Sequence, residues 1–134
     1  MSEAPKVGTI GWVDLTVPDA VRVRDFYAGV VGWATDPVDM GDYEDFCMVP
    51  PEGGAPAAGV CHARGSNEGL PAVWLVYLTV ADLDSSVAKV QELGGEVLVP
   101  AKGMGGYGRY CVIKDPAGAV AALYEPGAVA EIGD

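Results

Sequence analysis

Two polar side chains interrupt apolar, strand-like runs at matching places, and both could take part in proton transfer. Asp14 lies within TIGWVDLTV, and Tyr77 lies within AVWLVYLTV. A carboxylate among apolar residues is costly unless it is paired or used, and burial would raise its pKa toward that of a general base. If pseudo-twofold symmetry relates the runs, Asp14 and Tyr77 could meet and relay a proton or hold an amine. A structural alternative stays open, in which Asp14 lies at a dimer edge or bonds a hydroxyl such as that of Thr16.

His62 is the only histidine of the chain and the third candidate for acid–base chemistry. An imidazole can titrate near neutral pH and act as acid, base or ligand. His62 is expected at the end of a strand beside Arg64, where an exposed or capping role is the alternative. Cys61 would point the opposite way, which argues against a Cys–His nucleophilic dyad. The catalytic candidates are therefore Asp14, Tyr77 and His62.

The segments that position these residues occur twice in the chain. DLTVPD at 14–19 returns as YLTVAD at 77–82, and each copy ends in an aspartate suited to cap a helix. Apolar residues follow both aspartates at helical spacing, and glycines close both predicted helices. The segments that follow also match. These later matches are YEDFCMV at 43–49 with YGRYCVI at 107–113, and GAPAAGV at 54–60 with GAVAALY at 118–124.

This repeat predicts an α+β fold built from two strand–helix–strand–strand–strand modules. The modules span 7–62 and 72–126, and the polar segment 63–71 links them within a single domain over 1–134. Two copies with so long a period do not indicate a solenoid. Two such modules would bury their helix-covered faces and enclose a common cleft.

Composition limits the partners and the compartment. Eight basic residues oppose nineteen acidic ones, and the resulting net charge of −11 disfavours nucleic acid and admits a cationic ligand. Three cysteines without C-x-x-C spacing fit reduced thiols in the cytoplasm and disfavour a structural zinc site. No apolar run is long enough to span a membrane, and the start of the chain does not resemble a secretory signal.

The stretch VDLTVPDAVRVRDFYAGVVGW resembles the opening of vicinal oxygen chelate proteins. That superfamily includes glyoxalase I, bleomycin-resistance proteins, extradiol dioxygenases and methylmalonyl-CoA epimerase. The matching features are the helix-capping Asp19, the pair Phe26-Tyr27 and the segment Val31-Gly32-Trp33. DPAGAVAALYEP at 115–126 resembles the D-P-x-G hairpin and last strand of the family. The resemblance implies paired βαβββ modules that form a curved, partly open mixed sheet around a cleft.

The resemblance also implies where a metal ion would be held. In the best-known members, a divalent metal takes its ligands from the first and last strands of each module. The corresponding positions here are Trp12, Ala58, Leu75 and Ala122. None of these side chains offers an oxygen or imidazole donor, so no metal and no other cofactor is expected. This departure from the family pattern sets aside its metal-dependent activities.

Strand alternation adds neighbours to these positions as residues that line the cleft. The set is mostly aromatic and apolar, as is usual for small-molecule sites. Met104 and Tyr107 join it from GMGGYG at 103–108, which matches G-x-G-x-x-G but precedes a strand-like run and therefore predicts a loop over the cleft. The predicted ligand-binding residues are Trp12, Thr16, Ala58, Val60, Leu75, Thr79, Met104, Tyr107, Ala122 and Tyr124.

Three functions fit these features. The first is a metal-independent binding protein that sequesters a small organic ligand, cationic and aromatic, as bleomycin-resistance proteins do. The second is an enzyme of the same superfamily, a lyase, isomerase or hydroxylase, that uses acid–base residues without the usual metal. A third, with a displaced metal held by Asp14 and His62, has too few donors. A homodimer is expected in each case.

Overall fold

The computed structural model describes residues 6–64, 68–103 and 106–127. It divides into two compact units. Among the described residues, the first unit runs from Trp12 to Trp74, and the second unit combines those up to Gly11 with those from Leu75 onward. The two helices and eight strands of the described residues follow the order predicted from the repeat, so the α+β prediction is confirmed.

The first repeat carries one helix on one face of a four-stranded sheet. Its strand order is β2-β3-β4-β1, in which β1 runs parallel to β4 and the other neighbours are antiparallel. The helix contributes Ala20 to a core that is completed by Leu15, Val17, Phe46, Met48 and Val60. Its elements are β1 (Ile10–Val17), α1 (Ala20–Val31), β2 (Ala34–Asp39), β3 (Glu44–Val49) and β4 (Ala58–His62).

The second repeat has the same arrangement, with strand order β5-β8-β7-β6 and a parallel β5–β8 pair. Leu83 of its helix packs with Cys111 and Leu123 of the sheet. Its elements are β5 (Trp74–Thr79), α2 (Leu83–Glu92), β6 (Glu96–Gly103), β7 (Gly108–Lys114) and β8 (Val120–Pro126). Parallel pairing in both repeats follows from the long connection between the first and last strands of each.

The two repeated aspartates cap their helices as predicted. The carboxylate of Asp19 accepts a hydrogen bond from the Arg22 amide at 3.1 Å, and that of Asp82 accepts one from the Ser85 amide at 3.3 Å. Gly32 ends α1 in the left-handed region, with φ 88°. Each LTV-x-D segment is therefore a buried strand end followed by the cap that starts the next helix.

Residues near the N-terminus pair with the second unit. The Gly8 amide donates to the Thr79 carbonyl at 2.8 Å, and the Thr79 amide donates to the Thr9 carbonyl at 2.9 Å. Residues 7–11, which the repeat assigned to the first module, therefore belong to the second compact unit.

A charged network fixes the start of α2 to two strands. Glu125 Oε1 accepts hydrogen bonds from the Leu83 amide at 2.8 Å and from Arg109 Nη2 at 3.0 Å. Arg109 Nη1 also donates to Asp84 at 3.3 Å. These contacts lower the pKa of Glu125, chiefly through the Leu83 amide and then through Arg109.

The strand register corrects the face predicted for β4. The Cα partner of Asp14 is Gly59, and the partner of Leu15 is Val60. Residues opposite each other share a face of the sheet, and a slip of one residue reverses every side chain. The predicted placement of Ala58, Val60 and His62 on the face of Asp14 is therefore wrong. These three residues instead belong to the face of the sheet that packs against the helix, where Val60 is part of the core.

The same register corrects the alignment of the two repeats. Tyr77 pairs with Ala122 as Asp14 pairs with Gly59, so the structure relates Ala122 to Gly59 and not to Ala58. Cys47 and Cys111 are also not equivalent, because Cys111 lies in the helix-side core while Cys47 is the partner of Gly59. Neither helix in the described part of the chain has the length and apolar character needed to cross a membrane.

Candidate functional site

Each repeat presents a sheet face opposite its helix, and these two faces carry most of the predicted site residues. In the first unit, Asp14 and Thr16 of β1 share this face with Gly59 and Cys61 of β4. A Cβ built at Gly59 would lie 3.2 Å from Asp14 Cβ and 3.3 Å from the ring atom Cζ2 of Trp12. The indole thus lies against Gly59, and the absence of a side chain there makes room for it.

Acidic groups surround the thiol on this face. Burial raises the pKa of Cys61, and the charges of Asp14 and Asp45 raise it further. Asp45 is itself buried, and its Oδ1 accepts a hydrogen bond from the His62 amide at 2.8 Å. Cys61 therefore stays a neutral thiol at neutral pH and is not suited to nucleophilic attack. Asp14 and Asp45 are therefore near enough to Cys61 for their charges to act on its thiol.

His62 occupies a half-enclosed place at the end of β4. Its Nδ1 lies 3.5 Å from Asp45 Oδ1 and is buried without a hydrogen-bond partner among the described atoms. The imidazole packs edge-on against Tyr43, with ring centroids 5.5 Å apart, and lies 6.2 Å from the ring of Phe46. Because these aromatic rings pack against the imidazole, His62 is not the exposed residue that the sequence offered as one alternative.

In the second unit, the register agrees with the predicted alternation. Tyr77 pairs with Ala122, and Thr79 pairs with Tyr124, so these residues share the face opposite α2 with Leu75. Tyr110 of the neighbouring strand joins them as the partner of Tyr124. The rings of Tyr77 and Tyr110 have centroids 6.0 Å apart. The face is therefore aromatic and apolar, and its role in ligand binding stays a prediction.

Two hydroxyl groups on this face differ in their bonding. Tyr124 donates its hydroxyl to the Tyr107 carbonyl at 2.7 Å, and burial raises the pKa of Tyr124. Thr79 Oγ1 is buried and has no hydrogen-bond partner among the described atoms. Tyr107 itself exposes its side chain, as a loop residue would. Met104 lies outside the described residues, so its contact with a ligand stays a prediction.

Sequence reasoning missed four residues on these faces, namely Asp45, Gly59, Cys61 and Tyr110. Asp45 carried the same signal as Asp14, because it is a carboxylate within the apolar segment YEDFCMV. Gly59 and Cys61 were missed because the β4 register was displaced by one residue. The pairing of Asp14 with Tyr77 stays a prediction, although each of them has interactions within the molecule.

The positions assigned to metal ligands do not fit a divalent ion. With the corrected register they are Trp12, Gly59, Leu75 and Ala122, which supply an indole, a hydrogen atom, an isobutyl group and a methyl group. Metal ions of the expected kinds need oxygen, imidazole or thiolate donors. Within the described ranges, no three histidine, cysteine or acidic side chains are grouped closely enough to hold an ion.

The tandem βαβββ arrangement and the motifs at its helix starts define a class of protein. Residues 9–123 match the profile of the Glyoxalase/Bleomycin resistance protein/Dioxygenase superfamily. The chain therefore belongs to this superfamily, and the resemblance seen in the sequence is confirmed.

Individual relatives and solved structures agree with this membership. The chain is 38% identical over 120 residues to "Putative glyoxylase CFP32" of Mycobacterium bovis, covering 88% of this chain and 46% of that protein. It is 32% identical over 131 residues to "Anthracycline biosynthesis protein DnrV" of Streptomyces peucetius, covering 90% of this chain and 48% of that protein. The chain thus spans about half the length of the curated relatives it matches.

Two solved structures share the fold at low sequence identity. Methylmalonyl-CoA epimerase from Mycobacterium tuberculosis superposes with TM-score 0.55 and 19% identity, over 94% of this chain and 93% of that one. A variant of homoprotocatechuate 2,3-dioxygenase from B. fuscum superposes with TM-score 0.57 and 20% identity, over 93% of this chain and 34% of that one. At these identities the likeness establishes the architecture alone.

Proposed function

We propose that this chain is a metal-independent binding protein that sequesters a cationic, aromatic organic molecule. One observation carries the proposal: Trp12, Gly59, Leu75 and Ala122 occupy the positions where the family resemblance places metal ligands. Such positions can contribute shape and apolar surface but not coordination.

Groups that suit this ligand occur on the sheet face of each unit, taken separately. The face with Tyr77 and Tyr110 offers aromatic rings that attract cations and stack on planar groups. Thr79 supplies a buried hydroxyl that a ligand could satisfy. On the face of the first unit, the Trp12 indole and the charges of Asp14 and Asp45 suit the same ligand. The relative named for anthracycline biosynthesis is consistent with an aromatic ligand.

The compartment and assembly are part of the same proposal. Cys47, Cys61 and Cys111 are free thiols, which fits a reducing cytoplasm. We expect a homodimer, which analytical ultracentrifugation would detect. A monomer at every concentration tested would remove the dimer from the proposal and leave ligand binding to stand on its own.

The ligand class can be tested with proflavine, a planar aromatic cation, and with acridone, a neutral relative. We expect proflavine to bind with 1:1 stoichiometry in calorimetry and acridone to bind at least about tenfold more weakly. Asp14→Asn should weaken proflavine binding about tenfold, since it removes one charge from the site. Glu52→Gln removes the same charge from an exposed position in the same unit and should leave binding unchanged. Equal binding of both probes would rule out a cationic preference.

Metal independence has its own measurement. Untagged protein would be exposed to nickel, zinc, manganese and iron(II) salts, passed through a desalting column and analysed for its elements. We expect less than stoichiometric metal. A stoichiometric ion would contradict the proposal and make metal-assisted chemistry the first hypothesis.

A second candidate function is an enzyme in which Asp14, Tyr77 and His62 carry acid–base chemistry. The observation that favours it is the Asp14–Asp45–Cys61 grouping, in which charge and burial perturb a titratable group. The two candidates differ in turnover, because a sequestering protein returns its ligand unchanged. Once a substrate is identified, Asp14→Asn should abolish turnover if Asp14 acts as a base. It should only weaken binding if Asp14 serves as the negative charge opposite a cationic ligand.

A further inference from the structure

A groove lies on the helix side of the second unit, away from the face that carries Tyr77. It runs between α2 and the β7–β8 hairpin, is open to solvent and has a volume of about 350 Å³. That volume falls within the usual range for small-molecule sites, about 300–1,000 Å³. The groove is lined by Ser85, Ser86, Lys89, Val90, Leu93, Gly95, Ile113, Lys114, Asp115, Pro116 and Leu123.

The interior of the groove is aliphatic. Val90 and Leu93 line it from the helix, while Ile113 and Leu123 line it from the strands. Leu93 is 69% exposed, so the groove keeps apolar surface facing solvent. No aromatic side chain is among the described lining residues, so a flexible alkyl chain fits this wall better than a planar ring.

The rim of the groove is basic although the chain is strongly acidic. Lys89 and Lys114 are two of only eight basic residues in a chain of net charge −11. Lys114 makes no ion pair within the described ranges, and Lys89 has one exposed contact, to Glu92 at 3.5 Å. Exposed pairs of this kind are weak, so both ammonium groups can take an anionic partner.

The carboxylate that lines the groove is already engaged. Asp115 Oδ1 accepts hydrogen bonds from the Ala117 amide at 2.8 Å and the Ala119 amide at 2.9 Å. The D-P-x-G turn uses this carboxylate to hold its own backbone, and Gly118 adopts φ 93° within it. The turn therefore forms a fixed wall, and its negative charge is partly satisfied by the amides.

We propose that this groove binds a medium-chain aliphatic carboxylate. The alkyl chain lies along Val90, Leu93, Ile113 and Leu123, and the carboxylate lies between the ammonium groups of Lys89 and Lys114. Ser85 and Ser86 supply hydroxyl donors beside the head group. This site is independent of the proposed aromatic ligand, because its lining residues include none from the face that carries Tyr77.

The first experiment titrates the chain with octanoate and monitors binding through the amide NMR spectrum. We expect octanoate to shift the signals of the lining residues with saturable 1:1 binding. Octylammonium should not bind, and 1-octanol should bind about tenfold more weakly than octanoate. Affinity should rise about fourfold for each methylene between butanoate and octanoate, as burial of alkyl surface requires.

Charge variants locate the head group. Lys114→Gln should weaken octanoate binding about fivefold and Lys89→Gln about threefold. Lys6→Gln makes the same charge change outside the groove lining and should leave affinity unchanged. Ser86→Leu, which fills the groove, should weaken binding about tenfold. Lys89 is exposed, so Lys89→Gln is expected to fold and to test the proposal even if Lys114→Gln or Ser86→Leu does not fold.

Three outcomes would overturn the proposal. The first is the absence of saturable shifts at the lining residues. The second is equal binding of octanoate and 1-octanol. The third is groove signals that move with protein concentration but not with octanoate, which would assign the groove to a second copy of the chain. Loss of proflavine binding has no bearing on these results, so the two proposals can fail separately.

Discussion

At the scale of single residues, Gly59 determines how the first unit presents Asp14. Its missing side chain leaves room for the Trp12 ring, since a Cβ there would lie 3.3 Å from that ring and 3.2 Å from Asp14 Cβ. Trp12 is the residue that the family resemblance places at a metal-ligand position. A bulky aromatic therefore occupies the space beside Asp14, and Gly59 is what permits it.

Gly59→Ala should lower the free energy of unfolding by about 1–3 kcal/mol, the usual cost of overpacking. The added Cβ would press on Asp14 and on the Trp12 ring, which would have to move. Urea denaturation is the measurement, with Gly29→Ala as control. Gly29 lies in α1 where an added Cβ would meet open space, so alanine there should stabilise the helix by up to about 1 kcal/mol. In a Trp12→Ala background the cost of Gly59→Ala should shrink. An undiminished cost would show that the ring is not the obstacle.

The thiol of Cys61 reports on the same face. Because burial and two carboxylates raise its pKa, its thiolate fraction is small and alkylation should be slow. Asp14→Asn removes one charge and should accelerate iodoacetamide labelling of Cys61 about threefold to tenfold, as followed by mass spectrometry near neutral pH. Cys111, whose pKa is raised by burial, is the internal reference and should keep its rate. Equal acceleration of both thiols would indicate general loosening instead of a local charge effect.

At the scale of elements, local signals predicted the helix starts and longer-range ones failed. Asp19 and Asp82 were identified because a cap acts on an amide only three residues away. The face of β4 was not, because its register depends on pairing with β1 and β3, and no sequence signal fixes that pairing to one residue. The small residues of GAPAAGV align with those of GAVAALY in more than one way. Alternation in β5 and β8 was predicted correctly because the D-P-x-G turn anchors β8.

The network around Glu125 joins α2 to β7 and β8, and it carries a pH dependence. The pKa of Glu125 is lowered in the folded chain, so its contribution is present above the unfolded pKa and is lost as pH falls through the folded value. Glu125→Gln should lower the free energy of unfolding by about 1 kcal/mol near pH 7, allowing for solvent screening of this partly exposed pair. The difference between the two proteins should shrink near pH 3.

Glu92→Gln is the matched control for this carboxylate. Glu92 contacts Lys89 across an exposed face of the same helix, and its removal should change stability little at either pH. A constant difference between Glu125→Gln and the unaltered protein from pH 7 to pH 3 would contradict the linkage.

At the scale of the whole molecule, composition predicted more about the surface than about the ligand. The excess of acidic residues favours a cationic ligand, but charge does not select one molecule. Family membership likewise follows from motifs spread over most of the chain, whereas activity depends on a few side chains that these motifs do not determine. The groove beside α2 carries no sequence signal, since its lining comes from segments whose approach only the folded chain shows.

The net charge itself should be measurable in stability. A net charge of −11 destabilises the compact state through repulsion between its acidic groups. Salt screens this repulsion between charges that are farther apart than the Debye length, which is about 10 Å at 0.1 M. Raising sodium chloride from about 10 mM to about 500 mM should therefore raise the Tm by several degrees. Tetramethylammonium chloride should act similarly if screening is the cause. A rise with sodium alone would indicate specific ion binding.

The pairing of residues 8–9 with Thr79 has a consequence for how this chain can be divided. A gene fragment that encodes only the second repeat would lack the segment that satisfies the Thr79 amide and carbonyl. The outermost strand of that fragment would then offer open backbone groups to any other extended chain. Two copies of the chain could meet the same need by exchanging residues 6–11, as in domain swapping. We therefore expect a fragment cut at the repeat boundary to aggregate, and a second half that retains residues 6–11 through a short designed linker to keep this edge covered.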